Sequence, residues 1–157
     1  MAVDDLTSLL DRAGVPYDLL EHKHTESGLA EAQALGVSVD EVAKTLILDA
    51  PSGHVRAVIP ASKRIDIRKA AEHLNENRHQ IHLTTEEKLG RDYPEFELGA
   101  VPPIAGSGRD RVVVDVRLLE RDTVVFEAGS HDRSVRVATS DLLNLTGADT
   151  ADICLEE

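Results

Sequence analysis

The sequence predicts a single α+β domain in which peripheral helices surround a central mixed, barrel-like β-sheet. Its 157 residues have the size of one ordinary domain, and the 41% that are hydrophobic can bury a core. About six short apolar segments have the composition of β-strands, but they do not alternate regularly with helical segments, which argues against a doubly wound parallel sheet. Because no repeat or linker interrupts the chain, residues 1–157 are expected to form one domain with its core at about 3–146.

Two helices and a short strand are predicted at the start of the chain. A helix from Asp4 or Asp5 to Gly14 follows from apolar residues at helical spacing and from the glycine, a residue type that commonly ends helices. Residues 17–22 are predicted to form a strand. A second helix with one apolar face is predicted to close at Gly36.

A β-hairpin is predicted in the middle of the chain. Residues 43–49 are an apolar, β-branched run, 51–53 contain a Pro-Ser-Gly turn signal, and 55–59 read as the partner strand. Ser38 and Glu41 have the spacing of a capping box, with the hydroxyl first and the carboxylate three residues later. A short turn of helix is therefore expected to lead into the first strand of the hairpin.

After the hairpin, the predicted elements become short. Asp66 is predicted to open a helix, residues 80–83 to form a strand, and Thr84 or Thr85 to start another helix. Residues 94–110 hold most of the prolines and glycines of the chain and read as a long irregular loop. A loop of that length inside a small domain is usually functional or disordered.

The last part of the chain predicts a buried strand, a second hairpin and a final helix. The strand is at 112–114, and the hairpin joins 123–126 to 135–137 through a loop at 128–133. Ser140 is the predicted cap of the last helix.

The charge of the chain is strongly negative. Asp and Glu total 29 against 17 Lys and Arg, and the formal net charge is −12. In molar salt the Debye length shrinks to about 3 Å, which screens the self-repulsion of such a surface. We therefore expect adaptation to high salt, with simple solubility as the alternative. In dilute buffer the same charge opposes RNA binding.

Cys154 is the single cysteine, so no disulfide can form within the chain, which fits a reducing cytosol. Its position near the chain end argues against a nucleophile, because chain ends are usually poorly ordered. No apolar run approaches membrane-spanning length, and the first residues lack the pattern of a signal peptide. We expect a cytoplasmic protein that does not bind membranes.

Three segments could converge on a site. Lys44 and Thr45 stand at the head of the first hairpin strand, where a cation is expected to pair or to reach a ligand. The segment 99–103, Gly-Ala-Val-Pro-Pro, can present backbone amides rigidly, because its prolines donate no hydrogen bond and its glycine permits close approach. The segment 129–131 adds a hydroxyl and an imidazole that titrates near neutral pH. Taken singly, each has a plainer explanation: a snorkelling lysine, a structural proline loop and a hairpin tip.

Metal and cofactor sites are not predicted. The pairs His22 with His24 and His79 with His82 have no acidic or cysteine partner at a metalloenzyme spacing. No phosphate-binding loop, dinucleotide fingerprint or nucleophile-elbow serine is present.

Taken together and in this order, the three segments and their neighbours resemble the YbaK/prolyl-tRNA synthetase-associated domain family, which includes free-standing trans-editing deacylases. The resemblance covers about residues 3–146. The matching motifs are Leu35-Gly36-Val37, Val42-Ala43-Lys44-Thr45-Leu46, Val58-Ile59-Pro60-Ala61 with Arg64-Ile65-Asp66-Ile67, Gly99-Ala100-Val101-Pro102-Pro103, Val114-Asp115, and Phe126-Glu127-Ala128-Gly129-Ser130-His131.

The resemblance implies a barrel-like α+β fold and two catalytic positions. Lys44 matches the signature lysine of the family, which contacts the terminal adenosine phosphate or the reacting group. Gly99 matches the glycine whose loop amides hold the aminoacyl carbonyl. Thr45, beside the lysine, is assigned to substrate binding, as are three residues of the glycine loop: Ala100, Val101 and Pro102.

The resemblance also implies the residues around the amino-acid pocket. Gly129, Ser130 and His131 match the loop that lines this pocket, with His131 at its wall. His22 occupies a strand position where some relatives carry a tyrosine near the substrate, and this departure leaves the preferred amino acid open.

The implied activity is hydrolysis, in trans, of the ester that joins a wrong amino acid to the 3′ end of a tRNA. A small amino acid such as Ala or Cys on tRNA(Pro) is the expected substrate, without a cofactor. The expected partners are the acceptor end of the tRNA and, as a candidate, an aminoacyl-tRNA synthetase. Two alternatives remain open: a non-catalytic module of the same fold that binds tRNA or a synthetase, and a hydrolase of small ligands.

Overall fold

The computed structural model describes residues 2–106 and 110–156. Five α-helices and eight strands follow one another in this part of the chain, with 3₁₀ turns at Arg78–Gln80 and Val116–Glu120. In chain order the elements are α1 (Ala2–Ala13), β1 (Asp18–Glu21), α2 (Gly28–Leu35), β2 (Ala43–Ala50), β3 (Gly53–Pro60), α3 (Ile67–Leu74), β4 (His82–Leu83), α4 (Glu86–Asp92), β5 (Arg111–Asp115), β6 (Thr123–Ser130), β7 (Arg133–Ala138), α5 (Thr139–Thr146) and β8 (Asp149–Ala151).

The strands form two sheets. In the five-stranded sheet, with order β4-β2-β3-β5-β8, the central β3 pairs antiparallel with β2 and parallel with β5. The three-stranded sheet, with order β1-β7-β6, is antiparallel throughout. A bridge between Val42 and Val125 joins the two sheets. The predicted α+β fold with a mixed sheet is confirmed, although the sheets meet at this bridge and do not close into a barrel.

Several predicted helix boundaries are confirmed by their caps. Asp66 accepts hydrogen bonds from the backbone amides of Arg68 and Lys69 and opens α3. Thr85 caps α4 in the same manner. Gly36 ends α2 in the left-handed conformation, with φ of 69°.

Two predicted helix starts are wrong, and one is met only in part. The first helix, α1, begins two residues before Asp4. At Ser38 the expected single turn forms, but no helix follows it. Ser140 lies inside α5, which begins at Thr139 without a side-chain cap. The hydroxyl of Thr139 instead donates to the carbonyl of Arg121, over 2.6 Å.

The second hairpin is longer than predicted. β6 runs to Ser130 and β7 begins at Arg133, so only two residues form the turn, His131 and Asp132. A register irregularity between Glu127 and Ser130 accommodates the extra residues of β6. Most of the predicted loop at 128–133 is therefore strand, which fixes its backbone to the sheet.

The core lies on both faces of the five-stranded sheet. One part fills the space between the two sheets and is covered by α1 and α5, with Leu6, Phe126 and Leu142 fully buried. The other packs α3 and the C-terminal segment against the opposite face. This second part includes Ile153 and Cys154, so packed structure continues past residue 146.

Cys154 is completely buried, contrary to the expectation of a poorly ordered chain end. Burial, followed by the nearby Asp115 carboxylate, raises the pKa of its thiol to about 12. The thiol is therefore protonated at neutral pH and is a poor nucleophile. None of the helices in the described ranges is both long and apolar enough to cross a bilayer.

Candidate active site

A cavity of about 400 Å³ opens between the head of β2, the start of α2, the loop at 99–101 and the strand β6. Gly28 allows α2 to approach closely, because a Cβ atom at this position would lie only 2.4 Å from the Cβ of Ala61. The residues that line the cavity are Glu26, Ser27, Gly28, Glu31, Ala43, Lys44, Thr45, Leu46, Ile47, Leu83, Thr84, Leu89, Gly99, Ala100, Val101, Phe126 and Glu127.

Five of the ten predicted site residues meet at this cavity. Lys44 and Thr45 come from β2, and Gly99, Ala100 and Val101 come from the loop that precedes β5. The hydroxyl oxygen of Thr45 is buried in the wall and has no hydrogen-bond partner among the described residues. Because this oxygen is closed off from solvent, a ligand reaches it only if the Thr45 side chain rotates toward the cavity.

Lys44 is half-buried and forms no ion pair with any carboxylate in residues 2–106 and 110–156. Burial lowers the pKa of its ammonium group, and the Arg64 guanidinium lowers it further. The ammonium group is thus close enough to Arg64 to feel its charge. Two neighbouring cations without a carboxylate partner favour an anionic ligand.

Gly99 adopts a φ of +82°, a conformation that favours glycine. The amide of Ala100 donates to the carbonyl of Glu97 over 3.0 Å, so the expectation that all the amides of this loop are presented is wrong for Ala100. The amides of Gly99 and Val101 have no acceptor among the described residues, and both residues line the cavity.

Pro102 lies behind the cavity and not at its surface. It is buried, and its carbonyl oxygen accepts a hydrogen bond of 2.8 Å from Nη1 of Arg56, a β3 residue whose side chain is 2% exposed. Arg56 also donates to the carbonyl of Ala105 and pairs with Asp110. This guanidinium ties the long loop to the central strand, so Pro102 holds the loop and does not face a ligand.

His131 also lies behind the loop, although it was expected at the pocket wall. Its Nε2 is 2.7 Å from the carbonyl oxygen of Leu98, and its Nδ1 is 2.8 Å from the Glu127 carboxylate. Burial alone would lower its pKa, but the Leu98 carbonyl and Glu127 outweigh burial and raise the pKa. The imidazole lies next to Gly99, since a Cβ atom built there would be 3.7 Å from its Cε1.

The other predicted pocket residues are one layer further away. Gly129 is buried in β6, and the hydroxyl of Ser130 donates to Asp132 within the hairpin turn. His22 reaches the cavity only indirectly: its Nε2 is 2.9 Å from the hydroxyl of Ser134, which donates to Glu31. The extension of β6 through Ser130 removes these residues from the cavity.

Two carboxylates at the cavity were missed from the sequence. Glu31, on α2, is 2% exposed, and Glu127 lies on β6. Burial raises the pKa of Glu31 to about 7, although the Ser134 hydroxyl and the His131 ring oppose this. Burial, followed by the Glu31 carboxylate, raises the pKa of Glu127 to about 8, against the effect of His131. For Glu127, the sequence does offer a signal, because a charged residue stands inside an apolar strand. The same signal marks Arg56.

In residues 2–106 and 110–156, no cluster of three or more His, Cys, Asp and Glu side chains is placed to hold a metal ion. The site therefore consists of a cation at the mouth, two free amides in a loop and a carboxylate pair in the wall.

Comparisons with known proteins identify the family of the chain. The model of the family described as the aminoacyl-tRNA editing domain matches residues 22–145. The chain is similar to the multifunctional Ser/Thr-tRNA deacylase ProXp-y of Escherichia coli, strain K12, with 26% identity over 145 residues, which cover 89% of this chain and 85% of the relative.

Solved structures share the fold over nearly the whole chain. A candidate trans-editing enzyme for prolyl-tRNA synthetase superposes with a TM-score of 0.89 at 24% identity, covering 99% of this chain and 98% of the other. The hypothetical protein APE2540 superposes with a TM-score of 0.87 at 27% identity, covering 96% and 99%. With the family model matching most of its length, the chain belongs to the aminoacyl-tRNA editing domain family and is, by that membership, an enzyme of the deacylase class.

Proposed function

We propose that this protein hydrolyses, in trans, the ester between a small amino acid and the 3′ end of a mischarged tRNA. The observation that supports this is the meeting of Lys44 with the free amides of Gly99 and Val101 at one cavity. An aminoacyl ester is already activated, so positioning and stabilisation of an oxyanion can supply most of the catalysis.

In the proposed reaction, water attacks the carbonyl carbon of the ester. The charge that develops on the carbonyl oxygen is accepted by the amides of Gly99 and Val101. The bond to the ribose oxygen then breaks, and that oxygen takes a proton as the free amino acid departs. Lys44 contacts the terminal phosphate or the reacting group, and no protein nucleophile is needed.

The cavity supports a small side chain and adds a preference for a hydroxyl group. Ala43, Ala100 and Val101 supply a small apolar lining, which suits the Ala or Cys expected from the sequence. After rotation of its side chain toward the cavity, the unpaired hydroxyl of Thr45 could bond a substrate hydroxyl, as found in Ser and Thr. The similarity to a Ser/Thr-tRNA deacylase supports the same preference. We therefore place Ser and Thr ahead of Ala and Cys.

A tRNA can approach this acidic protein along a local basic segment. Lys63 and Arg64 follow β3, next to the Ala61 that contacts Gly28 at the cavity. Neither pairs with a carboxylate in the described part of the chain, and Arg64 lies near Lys44. These three cations are proposed to bind the phosphates at the 3′ end, which would give a shallow dependence of affinity on salt.

The test is single-turnover deacylation of tRNAs charged with Ser, Thr, Ala, Cys and, as the cognate control, Pro, in dilute and in molar KCl. We expect hydrolysis of small mischarged amino acids and survival of the correctly charged tRNA. Binding of tRNA without hydrolysis would indicate the non-catalytic module. Hydrolysis of simple esters, with no effect on any charged tRNA, would indicate the small-ligand hydrolase. Repeating the deacylation assay with an added aminoacyl-tRNA synthetase tests whether the synthetase is a second partner.

Lys44→Ala is the matching variant, with Lys23→Ala, an exposed lysine that does not line the cavity, as its control. Loss of a charge-assisted contact should lower the rate of the Lys44 variant about 10- to 100-fold, with little change in melting temperature. A variant that melts much lower but retains its rate would show that Lys44 is structural.

A further inference from the structure

We infer that Glu31 and Glu127 together form the subsite for the α-ammonium group of the aminoacyl ester. The inference rests on the proposed function, and it names the part of the substrate that the wall of the cavity recognises. Glu31 lies outside the motifs that suggested the activity from the sequence, and Glu127 lies within one of them but received no role there.

The two carboxylates come from different elements and face the same cavity. Glu31 projects from α2 and Glu127 from β6, and the Glu31 charge raises the pKa of Glu127. The hydroxyl of Ser134 donates to Oε2 of Glu31, and the ring of His131 bonds Oε2 of Glu127. Within the described ranges, we find no protein donor for the Oε1 atom of either carboxylate, so both atoms are available to a ligand.

The surroundings of the two carboxylates favour a bound cation. A buried carboxylate is costly unless it is paired, and two side by side also repel each other. No lysine or arginine in the described residues pairs with Glu31 or Glu127, and the histidine that contacts Glu127 also holds the Leu98 carbonyl. A ligand ammonium between the carboxylates would remove the repulsion and satisfy their free oxygens.

An α-ammonium group is the cation that all aminoacyl esters share. The free amides of Gly99 and Val101 can hold the carbonyl oxygen at another wall of the same cavity. Bonds at both ends of the aminoacyl group would orient the ester carbon for attack by water. The amino-acid side chain would then point to Thr45 and the small apolar residues.

The titration of the site agrees with a bound cation. The raised pKa values of Glu31 and Glu127 mean that the empty pair retains protons near neutral pH, and an ammonium would displace them. Other charged groups surround the pair: Glu26 and Lys44 line the same cavity, Glu97 acts on Glu127, and His131 acts on both carboxylates. These groups carry charges of both signs and change the charge of the site with pH. The aminoacyl and α-hydroxyacyl substrates are therefore compared at a single pH.

The first measurement is ligand binding without tRNA. L-alaninamide and L-lactamide have the same shape but differ in an α-ammonium against an α-hydroxyl group, and NMR titration gives the dissociation constant of each. We expect alaninamide to bind at least tenfold more tightly. Glu31→Gln and Glu127→Gln should remove most of that difference, whereas Glu72→Gln, an exposed glutamate on α3, should retain it.

The second measurement compares aminoacyl-tRNA with the α-hydroxyacyl-tRNA that nitrous acid makes from it. Wild-type kcat/KM should favour the aminoacyl substrate by about 100-fold, and each Gln variant should reduce this ratio about tenfold. Equal rates for both substrates, or a ratio unchanged in both variants, would overturn the inference, and so would equal binding of the two amides. If wild-type protein hydrolyses no charged tRNA, the proposed function fails, and the binding measurement alone still decides the subsite.

Discussion

Nη1 of Arg56, in the middle of β3, donates a hydrogen bond of 2.8 Å to the carbonyl oxygen of Pro102 in the loop that carries Gly99. The same guanidinium donates to the carbonyl of Ala105 and to Asp110. Arginine suits this position because its planar group presents several donors in a fixed fork. The free amides at the cavity therefore take their position from a buried cation outside it.

Arg56→Lys should lower both stability and activity. A lysine keeps the charge but cannot reach both carbonyls and Asp110, so buried acceptors lose their donors at a cost of about 1–3 kcal/mol in unfolding free energy. The loop amides would shift, and small misplacements can cost about 100-fold in rate. Denaturant unfolding and single-turnover deacylation measure the two effects. The control is Arg136→Lys, which changes a partly exposed arginine paired with Glu41. Equal effects of both variants would contradict this role.

Gly99→Ala should reduce the deacylation rate by more than the backbone strain of an alanine at this position explains. The Cβ atom would sit in ordinary contact with His131, so the cost in stability comes from the positive φ and should be about 1–2 kcal/mol. Gly147→Ala is the matched control, because Gly147 has a φ of +62° and open space around it. We expect similar melting temperatures for the two variants, and a loss of deacylation only for Gly99→Ala. Full activity of that variant would remove the loop from the site.

Glu31→Gln should stabilise the protein at alkaline pH. The pKa of Glu31 in the folded state, about 7, is above its ordinary value of 4.5. The folded state therefore holds the proton more tightly, and this contribution to stability is full below pH 4.5 and is lost as the pH rises through 7. Glutamine removes the buried charge, so the variant should gain on the order of 2 kcal/mol over wild type at pH 8 but little at pH 4.

Denaturant unfolding at the two pH values measures this difference, with Glu72→Gln as the exposed control. The Glu31 charge also raises the pKa of Glu127, so the measured difference includes the change at Glu127, whereas the effects of acidic groups that do not interact with Glu31 cancel between variant and wild type. A gain that is the same at pH 4 and pH 8 would show that the Glu31 side chain does not carry a raised pKa.

Salt should stabilise the protein at neutral pH. With a formal net charge of −12, self-repulsion is strong in dilute buffer and is screened in molar KCl. We expect the melting temperature to rise along a KCl series at pH 7, and deacylation to persist in molar KCl because few phosphates are contacted. Near pH 5, close to the isoelectric point of about 4.9, the rise should become small. Maximum stability in dilute buffer would rule out adaptation to high salt.

The sequence was sufficient for the features that local chemistry decides. Asp66 and Thr85 cap helices because their side chains bond amides two or three residues away, and β2 and β3 follow from apolar runs around a turn. Lys44 and Gly99 stood out as a cation opening an apolar strand and a glycine before two prolines, but their expected roles came from the resemblance to a family.

Only the tertiary structure decided what the carboxylates and Arg56 do. Glu31 and Glu127 are 96 positions apart in the printed sequence, and their pairing depends on the packing of α2 against β6. The turn at 38–41 stays short, and β6 extends through Ser130, because strand pairing outweighs local capping and turn preferences. The residues next to a buried charge in the sequence do not reveal its partner. Both the burial and the partner come from segments that are distant in the chain.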